Sequence, residues 1–96
     1  MAKQAETLFK ERVVRKLKLI PNLWILKVQM VATIGIPDII MCCNGKFIAW
    51  ELKTLTGKVS KLQQHNLDSI ADAKGIARVV NPDNLEECLK ELRSLL

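Results

Sequence analysis

Ile36-Pro37-Asp38-Ile39-Ile40-Met41-Cys42-Cys43-Asn44-Gly45-Lys46-Phe47-Ile48-Ala49-Trp50-Glu51-Leu52-Lys53 is a pair of apolar runs joined by Asn-Gly. Asn and Gly both tolerate the positive φ of a two-residue type I′ turn, so the stretch predicts a β-hairpin. With Asn44 and Gly45 as the turn, Asp38 and Glu51 stand six steps out on either side and face each other. Alternation puts Lys53 on the same face. Opposed side chains have Cβ atoms roughly 4.5–5.5 Å apart, and like charges placed so repel. A divalent cation between the carboxylates would remove that repulsion.

Outward from the hairpin, residues 4–20 read as an amphipathic helix. Phe9, Val13, Leu17 and Ile20 form its inward stripe, and Pro21-Asn22 ends it. Leu23–Val31 reads as a strand, with Trp24, Leu26, Val28 and Met30 on an apolar face expected in the core. Leu23, Ile25, Lys27 and Gln29 share the other face, which turns polar toward one end. Thr33-Ile34-Gly35 and Thr56-Gly57-Lys58 are loops. Ser60-Lys61-Leu62-Gln63 fits a capping box for a helix running to about Lys74, with Leu62, Leu67, Ile70 and Ala71 inward and Gly75 as its stop. Ile76–Val80 is a short strand. Asn81-Pro82-Asp83 opens a last helix carrying Leu85, Leu89 and Leu92 inward. The order α-β-β-β-α-β-α predicts an α/β fold with a mixed central β-sheet flanked by helices, in one domain over residues 1–96.

Composition narrows the class. The chain is 96 residues long, 49% hydrophobic and carries a net charge of +5. It has no run near the ~18 apolar residues of a membrane span and no apolar signal core at Met1-Ala2-Lys3-Gln4. Cys42, Cys43 and Cys88 are an odd set without metal-ligand spacing, expected as reduced core thiols in a cytoplasmic protein. Residues 1–61 hold 11 Lys/Arg against 4 acids, whereas residues 62–96 hold 4 against 6. The basic half contains the Asp38/Glu51 pair, which suits a polyanionic substrate.

The candidate chemistry follows. Pro-Asp and Glu-x-Lys on paired strands form a metal-dependent phosphodiesterase pattern. Asp38 and Glu51 would bind Mg²⁺ or Mn²⁺, which take carboxylate oxygens and keep several waters, and the Leu52 main-chain carbonyl would add a ligand. Lys53 would hold the attacking water, lower its pKa or neutralise developing phosphoryl charge; the alternative is a salt bridge from Lys53 to Asp38. Glu6 has the phase of the inward stripe and is a second acidic candidate at the metal, with Glu11 on the solvated side. Lys27 is a candidate phosphate contact. Gln63 is either the capping-box partner of Ser60 or a group turned inward near Lys53. Trp50 is expected in the core, and His65, the one histidine, is assigned no catalytic role.

Gly35-Ile36-Pro37-Asp38, Glu51-Leu52-Lys53 and Gly57-Lys58-Val59-Ser60-Lys61-Leu62-Gln63 together resemble the virus-type replication-repair nuclease (VRR-NUC) domain of the PD-(D/E)XK nuclease superfamily. The resemblance spans about residues 6–80. It implies a restriction-endonuclease-like core and a metal-dependent DNA endonuclease. Asp38 and Glu51 become metal ligands, Lys53 the catalytic lysine, Glu6 a helix-borne acidic site residue and Gln63 a supporting one. Lys27 matches a strand lysine ahead of Pro-Asp; Ile39 stands where the family often has a basic residue. Small standalone members resemble dimeric Holliday-junction resolvases, which implies a homodimer acting on branched DNA in a bacterial or phage-infected cell. Lys10, Arg12, Arg15, Lys18 and Lys58 would then widen the phosphate-binding surface. A flap or duplex nuclease of repair or restriction type, and a non-catalytic DNA-binding module, are the alternatives.

Overall fold

The computed structural model describes residues 4–29 and 33–96. Its elements are α1 (Ala5–Leu17), β1 (Leu23–Lys27), β2 (Ile39–Cys43), β3 (Lys46–Leu52), α2 (Lys61–Asp72), β4 (Ile76–Val80) and α3 (Leu85–Ser94). The four strands form one mixed sheet in the order β1-β2-β3-β4. The first two pairings are antiparallel, and β3 pairs parallel with β4 through the α2 crossover. This is the α/β architecture and element order expected from the sequence.

The hairpin has the predicted register. Cys43 pairs with Lys46 and Ile39 with Trp50, while Asn44 and Gly45 take φ of 50° and 81°. One residue beyond Ile39 and Trp50 stand Asp38 and Glu51.

One sheet face is the core. Ile39, Met41, Cys43, Ile48, Trp50, Leu52 and Val80 meet Phe9, Val13, Leu17 and Ile20 from the α1 side and Leu85, Cys88, Leu89 and Leu92 from α3. Burying each aliphatic side chain contributes roughly 1.5–3 kcal/mol, so the stripe, more than helix propensity, fixes α1. The other face is covered by α2 over β3 and β4.

The first strand has the opposite facing from the one expected. Leu23 and Ile25 pack against the core, whereas Trp24 is 58% and Leu26 45% exposed. The reason is register: Ile25 pairs with Met41 on the core face, and Trp24 pairs with Cys42 on the face α2 leaves open. Cys42 is accordingly exposed, while Cys43 and Cys88 are buried as expected; all three thiols are free. The strand ends at Lys27 rather than Val31, with one further bond from Val28 N–H to the Asp38 carbonyl. Met30 and Val31 lie outside the described residues.

The end of α2 also differs in detail. Lys74, not Gly75, takes the left-handed conformation, at φ 75°. Gly75 N–H donates to the Ile70 carbonyl and Lys74 N–H to that of Ala71, a Schellman pair. Gly75 is needed for space instead, since a Cβ there would lie 2.8 Å from Ile70 Cγ2. Ala71 is exposed rather than inward. Leu62 is 46% exposed and packs on the loop before β2, where a Cβ on Gly35 would lie 2.7 Å from its Cγ. The last helix begins at Leu85, after Asn81 Oδ1 has accepted from the N–H groups of Asp83 and Asn84.

Candidate functional site

The end of the hairpin farthest from its turn gathers side chains from α1, β3, α2 and the loop entering β2. Asp38 is positioned from both directions. Its Oδ2 accepts from Leu52 N–H at 2.8 Å, which ties it to β3. The preceding loop is fastened to α2 where Asn66 Nδ2 donates to the Gly35 carbonyl at 3.0 Å. Gly35 itself has φ of 84°, a conformation that favours glycine.

Glu51 is the buried polar group of the described residues, at 3% exposure. Lys53 Nζ lies 3.6 Å from Glu51 Oε2, and Gln63 Nε2 donates to the same oxygen at 3.4 Å. Burial foremost, then the Asp38 carboxylate beside it, pushes the Glu51 carboxyl up to about 7, with Lys53 pulling the other way. The protein thus holds two acids against each other where water screens them poorly. Such a pair is stable only if one keeps a proton or a cation joins them.

Gln63 does both things that its sequence left open. Its backbone N–H and its Oε1 close the capping box with Ser60, and its Nε2 is left to face Glu51. Lys53 is on the Glu51 side as alternation required, and it pairs with Glu51 rather than with Asp38.

The acidic candidates on α1 exchange places. Glu6 has the phase of the Phe9–Val13–Leu17 stripe but lies one turn beyond its buried part. Its side chain is 62% exposed, and it reaches Lys10 Nζ at 3.4 Å. Glu11, expected in solvent, is half-buried and lines a cleft of about 350 Å³ with Lys10, Lys27, Asp38 and Leu52. Lys10, expected only on an outer basic surface, turns into the site and pairs with Asp38 Oδ1 at 3.1 Å. Burial works against its charge, but Asp38 and then Glu6 outweigh that and hold its pKa above the ordinary value. Its one sequence signal is its place beside Phe9, on the flank of the stripe nearest the site.

The remaining basic candidates are spread out. Lys27 is exposed at the cleft, while Arg12, Arg15, Lys18 and Lys58 are exposed elsewhere. Among the described residues, no group of three or more His, Cys, Asp or Glu side chains is placed to share a metal ion, so the acidic set is Asp38 with Glu51. Two carboxylates with water completing the shell suit Mg²⁺, whereas zinc or calcium sites need more protein ligands. Among those residues, no helix is long and apolar enough to cross a membrane.

No protein-family model, curated protein or solved structure matches this chain.

Proposed function

We propose that this chain is a Mg²⁺- or Mn²⁺-dependent DNA endonuclease built on a restriction-endonuclease-like core, selective for branched DNA and active as a homodimer. The observation that carries the reading is Glu51, a carboxylate 3% exposed that faces Asp38 with its pKa raised to about 7. Lys10 reaches Asp38 and Lys53 reaches Glu51, whereas a divalent ion between the two carboxylates would bridge both.

In this reading Asp38, Glu51 and the Leu52 carbonyl hold the ion. When bound, it polarises the phosphate and lowers the pKa of a coordinated water. Lys53, 3.6 Å from Glu51, would orient the attacking water and offset charge developing on the phosphoryl oxygens. Gln63 keeps the Glu51 carboxylate turned toward Asp38. Lys27 contacts a substrate phosphate at the cleft. Glu6, exposed and joined to the pair through Lys10, belongs to the outer edge of the site.

The test is cleavage of labelled four-way junctions, flaps and linear duplex with Mg²⁺, Mn²⁺ or EDTA. Metal-dependent cutting that favours the junction supports the proposal. Cutting of flaps or duplex alone favours a repair- or restriction-type nuclease, and metal-independent binding without cutting favours a non-catalytic DNA-binding module.

A further inference from the structure

Each carboxylate of the pair has its own cation. Glu51 has Lys53, which follows directly on the last residue of β3. Asp38 has Lys10, which arrives from a different element. Lys10 Nζ is 3.1 Å from Asp38 Oδ1 and 3.4 Å from Glu6 Oε1. Asp38 is the stronger partner, because its side chain is 21% exposed against 62% for Glu6, and charges attract more strongly where less water screens them.

With Glu51 ionised, Asp38, Glu51, Lys10 and Lys53 sum to zero formal charge. A divalent ion added to this set leaves an excess of two positive charges. Asp38 Oδ2 already accepts from Leu52 N–H, so an ion that takes up Oδ1 competes directly with Lys10. The Lys53 side chain is 21% exposed, whereas that of Lys10, on the lining of the cleft, is 37% exposed and already reaches Glu6 as well as Asp38. Lys10 is therefore the group that must leave.

We infer that Lys10 is the resident counter-cation of Asp38 in the metal-free protein, and that a divalent ion entering the Asp38/Glu51 pair displaces its ammonium toward Glu6 and the cleft. This rests on the metal-site reading above, and makes Lys10 a positioning residue that sets how readily the ion binds. Its part-exposed ion pair is worth roughly 0.2–1 kcal/mol, a factor of up to about five in an equilibrium constant.

The experiment is a calorimetric titration of Mn²⁺ alone, without DNA, into wild type, Lys10→Met, Lys27→Met and Asp38→Asn. Lys27→Met removes the same charge from the same cleft without touching Asp38, and Asp38→Asn keeps an oxygen for Leu52 N–H. The expected result is that Lys10→Met binds Mn²⁺ about threefold tighter or more, Lys27→Met changes less than twofold, and Asp38→Asn loses the site. A companion measurement in EDTA should find that Lys10→Met lowers Tm in the wild-type background and has little effect in Asp38→Asn. If Mn²⁺ binds, is lost in Asp38→Asn, and Lys10→Met binds no tighter than Lys27→Met, the Lys10 assignment alone is overturned. A wild type that binds no Mn²⁺ at this pair overturns both readings.

Discussion

Gln63 donates to Glu51 across 3.4 Å with one end of its amide while the other end accepts from Ser60 N–H at 2.9 Å. The residue that closes the capping box of α2 therefore also holds the buried acid on β3 by a hydrogen bond. Gln63→Glu separates the two jobs. Glutamate at this position still closes a capping box, so the helix should form and Tm at pH 5 should stay near the wild-type value. At pH 8 the change sets a third carboxylate against Glu51. Tm in EDTA should then fall, and metal-dependent cleavage should drop about tenfold, the scale of one weakened hydrogen bond to a charged group. Circular dichroism melts at the two pH values, with cleavage assays, check this; an equal Tm loss at both would make Gln63 a helix cap only.

Stability without metal should fall as pH rises. Glu51 titrates at about 7 in the fold against 4.5 as its ordinary value. Between those values the folded protein keeps a proton that the unfolded chain has released. The stabilisation is thus full below about pH 4.5, is lost on rising through about 7, and changes no further above it. At about 1.4 kcal/mol per pKa unit, the loss is on the order of 3 kcal/mol. Urea melts in EDTA at pH 5 and pH 8 should show the drop in wild type and not in Glu51→Gln. Mg²⁺ should recover the stability of wild type at pH 8 and leave Glu51→Gln unchanged. A wild type more stable at pH 8 than at pH 5 in EDTA would contradict the assignment.

Asp38 calls for a milder substitution than alanine. Removing its carboxylate relieves repulsion on Glu51 but strands Leu52 N–H, and an unsatisfied buried donor costs about 1–3 kcal/mol. These effects oppose, so a Tm change in Asp38→Ala would not isolate either. Asp38→Asn should keep the fold and abolish metal-dependent cutting. Lys53→Ala should still bind DNA and Mn²⁺ but cut roughly 10²–10³-fold more slowly, as when one transition-state donor is lost. Single-turnover rates and filter binding distinguish the two, and a Lys53→Ala variant that binds weakly yet cuts at the normal single-turnover rate would make Lys53 a phosphate anchor.

Much of the centre was legible in the sequence because turn chemistry leaves little freedom. Asn44-Gly45 set the register, and the register alone put Asp38 opposite Glu51. The edges were less legible. The apolar alternation of β1 told that the strand has two faces, but not that α2 reaches only as far as β3, which leaves Trp24 outside. Helical phase placed Glu6 correctly on the stripe, yet phase says nothing about where the sheet beneath the helix stops. Thr7, Lys10, Glu11 and Val14 line the cleft at helical spacing, on a face beside the Phe9–Val13–Leu17 stripe, which is why Glu11 reaches it and Glu6 does not. Glu6→Gln should accordingly change cleavage less than twofold, since exposed ion pairs contribute little, and Glu11→Gln should have the larger effect. Parallel kinetics of the two variants decide the ranking.

The open half of the sheet bears on how two incisions would be made. Trp24, Leu26 and Phe47 are 58%, 45% and 46% exposed, and Cys42 lies between Trp24 and Phe47 in the register. Trp24 and Leu26 are on β1, which is an edge strand, Cys42 is on β2 and Phe47 on β3. A monomer gains nothing from displaying a tryptophan there, and an exposed apolar edge invites pairing. The proposed homodimer would cover this patch, because a two-fold axis brings the same patch against itself and matches the approximate symmetry of a four-way junction. Trp24→Glu would place opposed charges at such a contact. It should halve the mass seen by light scattering, leave the melting temperature near that of wild type, and turn linearisation of a cruciform plasmid into nicking. Wild type mixed with Asp38→Asn should also nick, because each mixed dimer has one working site. A wild type that is monomeric at working concentration, or a Trp24→Glu variant of unchanged mass that still linearises the cruciform, would remove this surface from the reading.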